Sequence, residues 1–123
     1  MMRRPTMLAA VLALCAGSAL ADTTPPQYAA AEHNYNTYCV QCHGINRDGN
    51  GINSKVMAVK PRDHTDTKAM GDTPDETLFK AIKEGGLAVS KSVLMPTWGA
   101  VLDDGQVKEM VAYLRYVSKT TSK

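Results

Sequence analysis

Near the C-terminus apolar side chains recur every three or four positions: Val107, Met110, Val111, Leu114 and Val117 make one wide stripe. This predicts an amphipathic helix that starts at the cap Asp103 and runs to about Ser118, with Gln106 completing a capping box. A second helix is expected after Thr73, with Thr73 as cap, Pro74 at the first helical position and Glu76 closing a capping box. Its apolar face would be Leu78, Phe79 and Ile82, and Gly85-Gly86 would stop it. Earlier in the chain a helix is expected from about Pro26 to Tyr38, capped by Thr24, with Tyr28, Ala31, Tyr35 and Tyr38 on one face. The intervening stretches read as loops. Gly44, Gly49 and Gly51 punctuate one, and Pro61 and Pro96 punctuate two later ones. With no convincing alternating pattern and no internal repeat, the pattern predicts an all-α fold with three main helices.

The first residues change the domain picture. Arg3 and Arg4 precede an apolar run from Met7 to Leu20, and Ala19-Leu20-Ala21 precedes Asp22, which is the layout of a secretory signal cleaved after Ala21. The run is shorter than the roughly 20 residues of a spanning helix, so no stable membrane insertion is expected after cleavage. Leu14 before Cys15 disfavours lipid attachment there, and Pro5 and Thr6 after the arginines give little support to a folded-export signal. The expectation is a signal over residues 1–21, one domain over 22–123, and a periplasmic location. Charge follows suit. The formal +2 comes from 14 basic and 12 acidic residues, and removing Arg3 and Arg4 leaves 12 of each, so nucleic acid is not an expected partner.

Residues 39–43 read Cys-Val-Gln-Cys-His, and here the chemistry enters. Two thiols with two residues between them and a histidine directly after the second is the pattern for covalent attachment of a c-type haem. Cys39 and Cys42 would form thioethers to two vinyl groups of one porphyrin, and His43 would then lie under the iron. A thioredoxin-like pair uses the same cysteine spacing, but it should follow a hydrophobic strand, and Tyr28 to Tyr38 holds no Val or Ile. A structural zinc site would need further ligands, and only His33, His64 and Cys15 remain. The Asn46, Asp48, Asn50, Gly51 spacing imitates a calcium loop, yet Met57 stands where a bidentate Glu is required. With a single Phe and a single Trp, the domain lacks large flat hydrophobes, and a porphyrin would supply one.

The sixth iron position is left open by spacing, since Met57, Met70, Met95 and Met110 are all within reach. Met110 is explained by the helical stripe, whereas Met95 sits in the irregular Leu94-Met95-Pro96-Thr97-Trp98-Gly99 ahead of the last helix. With the helix into Cys39–His43, the glycine-rich loop, Met95-Pro96 and Val111-Ala112-Tyr113-Leu114, the chain resembles the class I cytochrome c family of small soluble monohaem carriers. The resemblance covers essentially the whole mature chain. It implies a cytochrome c fold, with loops wrapped around one covalently attached haem c, Cys39 and Cys42 as thioether sites, His43 as proximal ligand and Met95 as distal ligand. Met70 and His64 stay as rivals for that last role, although His64, after Arg62 and Asp63, reads as a solvated loop residue. The resemblance also implies a close crossing of the first and last helices, bringing Ala31 and Tyr35 against Met110 and Tyr113. It further implies a carbonyl near Pro61 that accepts the second ring proton of His43, with Arg62 and Trp98 as candidate donors to a propionate.

The functional expectation is a periplasmic electron-transfer protein rather than an enzyme, since no nucleophile with an adjacent base and no paired carboxylates appear. Its partners would be a redox protein donor and acceptor, with Lys80, Lys83 and Lys91 available to steer an acidic one. Two alternatives stand beside it: a gas- or peroxide-reactive haem protein with an open sixth position, and a fixed electron-transfer subunit of a larger oxidoreductase.

Overall fold

The computed structural model describes residues 24–121, so the expected signal segment and its expected cleavage point lie outside the described residues. Within them five α-helices follow in order: α1 (Ala29–Tyr38), α2 (Val40–His43), α3 (Thr67–Gly71), α4 (Asp75–Glu84) and α5 (Asp104–Thr120). Single turns of 3-10 helix occur at Pro26–Tyr28, Ile52–Val56 and Gly86–Val89, and no strand occurs among the described residues. Nor is any described helix long and apolar enough to cross a membrane.

α5 forms as its sequence dictates. Asp103 Oδ1 accepts from the Gln106 amide at 2.8 Å while Gln106 Oε1 accepts from the Asp103 amide at 3.0 Å, so both halves of the capping box are present. Val107, Met110, Val111, Leu114 and Val117 are all buried, and the helix runs two residues beyond the expected end. An Asp103→Ala protein should lose about 1 kcal/mol of unfolding free energy, read as a lower urea midpoint at unchanged slope.

The other two long helices depart from expectation at their starts. Thr24 does not cap α1; its hydroxyl donates to Glu32 Oε1 at 2.7 Å, and the helix is led in by the 3-10 turn after Pro25. Ala29, Ala30 and Ala31 favour helix at little entropic cost, and Ala31 and Tyr35 are the buried positions of its face. Thr73 likewise does not cap α4. Its hydroxyl donates back to the Ala69 carbonyl at 2.8 Å, Pro74 takes the cap position, and no capping box forms. Asp75 and Glu76 in the first turn favour the positive end of the helix dipole, and Gly85, with φ of 87°, ends the helix as expected. Leu78 and Ile82 are buried and Phe79 is half-buried.

α3 was not foreseen in the sequence. Asp66 Oδ1 accepts from the Ala69 amide at 2.9 Å to cap it, and its one buried side chain, Met70, is fully enclosed.

The core lies along α5, against which α1, α3 and α4 each pack. Tyr35 and Tyr113 cross edge to face with centroids 5.8 Å apart, so the expected contact between the first and last helices is formed. Arg47 locks the crossing. With φ of 60° it places its guanidinium so that Nε donates to the Tyr113 hydroxyl at 2.8 Å and Nη2 pairs with Glu32 Oε1 at 3.1 Å. The guanidinium also lies over the rings of Tyr35 and Tyr113, at 5.2 and 5.8 Å from their centroids.

Candidate haem site

α1 runs into the cysteine motif with almost no break. The Cys39 amide donates to the Tyr35 carbonyl at 2.8 Å and the His43 amide to the Cys39 carbonyl at 2.9 Å, so Cys39 and His43 are one helical turn apart. Gly44, with φ of 84°, turns the chain out of α2. The glycine loop then folds back: Gly49 N–H donates to the His43 carbonyl at 2.8 Å and Gly51 N–H to the Cys42 carbonyl at 3.0 Å. The free carbonyls at the end of α2 are thus satisfied from outside the helix. Gly51 has no room for a side chain, because a Cβ there would lie 2.4 Å from the Gln41 carbonyl oxygen.

On its far side His43 is held by Arg62, whose carbonyl accepts from His43 Nδ1 at 3.0 Å. This is the expected carbonyl, one residue past Pro61. With the proton on Nδ1, the lone pair of Nε2 is left for a metal. Burial outweighs the opposing pull of the Arg62 carbonyl and holds the His43 imidazole below the usual histidine range, so the neutral form that can ligate is favoured.

His64 is the main correction. It is not a solvated loop residue: it is 6 % exposed, and Nδ1 lies 3.1 Å from the Tyr35 hydroxyl. Its ring lies face to face with His43, with centroids 4.4 Å apart and planes at 20°. Two imidazoles that share one iron from opposite sides meet it end-on with the metal between them, so a face-to-face pair is not a trans ligand pair. Burial, and behind it the like charges of His43 and Arg62, hold His64 well below the usual range. The signal that could have found it was Tyr35, whose buried hydroxyl requires a partner.

A cavity of about 1000 Å³ opens beside these residues, and Cys39, Cys42, His43, His64 and Met95 all line it. Protein interiors leave few voids larger than a water molecule, so a space of this size is a ligand site. Leu78, Ile82, Val89, Leu94 and Leu114 give it apolar walls, and Arg62 and Trp98 also reach it, where a propionate donor would have to be. Of the methionines, Met57 and Met110 share the lining with Met95, whereas Met70 does not and is core. Thiols, imidazole, thioether and apolar walls on one cavity fit a haem.

The Met95 segment is held by the end of α4. Trp98 and Gly99 amides donate to the Ile82 and Lys83 carbonyls, each at 3.0 Å, and the Gly86 amide donates to the Met95 carbonyl at 3.1 Å. A Cβ on Gly86 would lie 2.2 Å from the Ser92 carbonyl oxygen. The glycine pair that reads in sequence as a helix stop therefore also makes room for this loop.

Cys39 and Cys42 are half-buried free thiols. Burial, followed by the neighbouring Cys42, pushes the Cys39 thiol up to about 12. A redox-active pair needs a lowered thiol, so the thioredoxin-like alternative finds no support here.

Residues 26–114 match the family described as cytochrome c oxidase, cbb3-type, subunit III. No curated protein matches the chain.

Proposed function

The chain belongs to this cbb3-type cytochrome c family, and we propose that it carries single electrons through one covalently bound haem whose iron His43 and Met95 would hold. Membership makes it a c-type cytochrome with the all-α cytochrome c fold, a haem c binder and a protein of haem-based electron transfer. The observation that supports the finer reading is the convergence of Cys39, Cys42, His43 and Met95 on one apolar cavity. When bound, the haem supplies a one-electron iron couple. Cys39 and Cys42 would tether it through thioethers. His43 offers Nε2 because Arg62 holds Nδ1. Met95 offers a thioether, which would favour reduced iron and leave no open position for small molecules. The apolar walls exclude water, so little has to move when the charge changes. On this reading the protein is a carrier and not an enzyme, exported through its N-terminal segment to a periplasm where redox proteins serve as donor and acceptor.

A visible spectrum tests the ligand pair. The oxidised protein should show the weak red methionine-to-iron band, and the reduced protein should not bind carbon monoxide. Fast carbon monoxide binding without that band would instead support the gas- or peroxide-reactive alternative.

A second reading, a fixed subunit of a larger oxidase, is favoured by the description of the matched family. Size exclusion of native extract separates the two, since a shuttle elutes as one small domain and a subunit with its complex. Charge steering is a further expectation, carried by fewer lysines than the sequence offers. Lys83 is paired with Asp104 at 2.7 Å, leaving Lys80, which is exposed, and Lys91, which lines the cavity. Electron transfer to an acidic partner should slow as salt rises, and Lys91→Glu should flatten that dependence. A rate indifferent to ionic strength removes the steering.

A further inference from the structure

Nothing in the proposed electron transfer uses His64, yet few side chains are so closely held. We infer that His64 is a positioning residue: lying face to face with His43 and anchored to the Tyr35 hydroxyl, it fixes the plane of the His43 imidazole and so keeps Nδ1–H on the Arg62 carbonyl. This rests on the reading of His43 as the proximal ligand.

The second side-chain torsion of a histidine has broad, shallow wells, so the backbone alone does not set the ring plane. One hydrogen bond at 3.0 Å to Arg62 fixes a direction but leaves the ring free to rock about it. A parallel ring with its centroid 4.4 Å away blocks that rocking. His64 can serve as the stop because it is itself immobilised from two sides. Its amide donates at 2.8 Å to the carbonyl of Arg47, the residue that locks α1 to α5. Its Nδ1 meets the hydroxyl of Tyr35, which is 1 % exposed and wedged against Tyr113. The helix crossing is thereby connected to the ring that meets the iron. The consequence is electronic, because a hydrogen bond from the far nitrogen of a ligating histidine raises its basicity, and a more basic ligand favours oxidised iron.

The test uses the haem-loaded full chain carrying His64→Ala, His64→Phe or Tyr35→Phe. Two quantities are read: the midpoint potential and the spread of haem methyl shifts in the proton NMR spectrum of the oxidised protein, which reports ligand planes. His64→Ala should raise the potential and alter the spread. His64→Phe, which keeps a flat ring in place, should bring both back toward wild type, and Tyr35→Phe should shift both in the same sense by less. An unchanged spread in His64→Ala, with the potential unmoved or lowered, overturns the inference, as does a His64→Phe protein shifted as far as His64→Ala. Should His64→Ala fail to load haem, Tyr35→Phe decides, and no shift in either quantity overturns the inference. Failure of the underlying reading looks different: a His43→Ala protein that kept the wild-type spectrum would remove His43 as ligand, whatever His64 does.

Discussion

Replacing Met95 by alanine should abolish the weak red band of the oxidised protein, let carbon monoxide bind the reduced form and lower the midpoint potential. The loop itself should survive the change, because it is held through its backbone: the Met95 carbonyl accepts from Gly86, and the Trp98 and Gly99 amides bond to the end of α4. Met95 is only half-buried, so the truncation should cost about 2 kcal/mol or less, below the range for a fully enclosed methionine. Met70→Ala supplies the contrast. Met70 is 0 % exposed in the core and does not line the cavity, so its truncation should cost about 2–5 kcal/mol while leaving the red band in place. Met57→Ala completes the set, since Met57 shares the cavity wall. Retention of the band in Met95→Ala together with its loss in Met57→Ala would transfer the ligand role to Met57.

Gly51→Ala should be strongly damaging for the addition of a single methyl group. The backbone there has φ of −65°, which any residue adopts, so the whole effect comes from space. A Cβ would lie 2.4 Å from the Gln41 carbonyl oxygen and 2.6 Å from both the carbonyl carbon and oxygen of Cys42, all of them backbone atoms of the attachment motif. No flexible side chain can turn aside, and either α2 or the loop must move. The expected loss is about 3 kcal/mol or more, at the upper end of overpacking costs. Displacing α2 also disturbs the Cys39-to-Cys42 geometry, so the yield of covalent haem, read by pyridine haemochrome, should fall with stability. Gly71→Ala is the control: nothing lies within 4 Å of its added methyl, and stability and haem yield should stay within about 0.5 kcal/mol and error of wild type. Equal behaviour of the two variants would show that the loop does not brace the motif.

The parts of this fold that are legible in sequence are those governed by local periodicity. α5 could be read from its stripe and from the Asp103–Gln106 capping box because both signals lie within a few residues of each other. The starts of α1 and α4 could not. Thr24 and Thr73 are residue types that cap helices, but each hydroxyl finds a better partner in three dimensions, Glu32 in one case and the Ala69 carbonyl in the other. α3 has one buried side chain in five residues, too little to make a periodicity. At the site, the motif at 39–43 and the Met95-Pro96 segment stand out by composition, and they line one cavity. The burial of His64 is hidden for the opposite reason: its neighbours Arg62 and Asp63 are polar, and its hydrogen-bond partner Tyr35 lies 29 positions earlier in the chain. The glycines show the same limit. Sequence marks Gly51 and Gly86 as punctuation, while their function is to let two backbones approach, which only folded coordinates reveal.

The crossing of α1 and α5 also fixes the order in which the molecule can be completed. The ten residues of α1 end just before Cys39, but their buried face, Ala31 and Tyr35, is covered by side chains of the last seventeen-residue helix. Tyr35 meets Arg47 and His64 earlier in the chain, but its cover is complete only when Tyr113 is in place. The helix that leads into Cys39–His43 therefore reaches its final packing only once the C-terminal helix has docked.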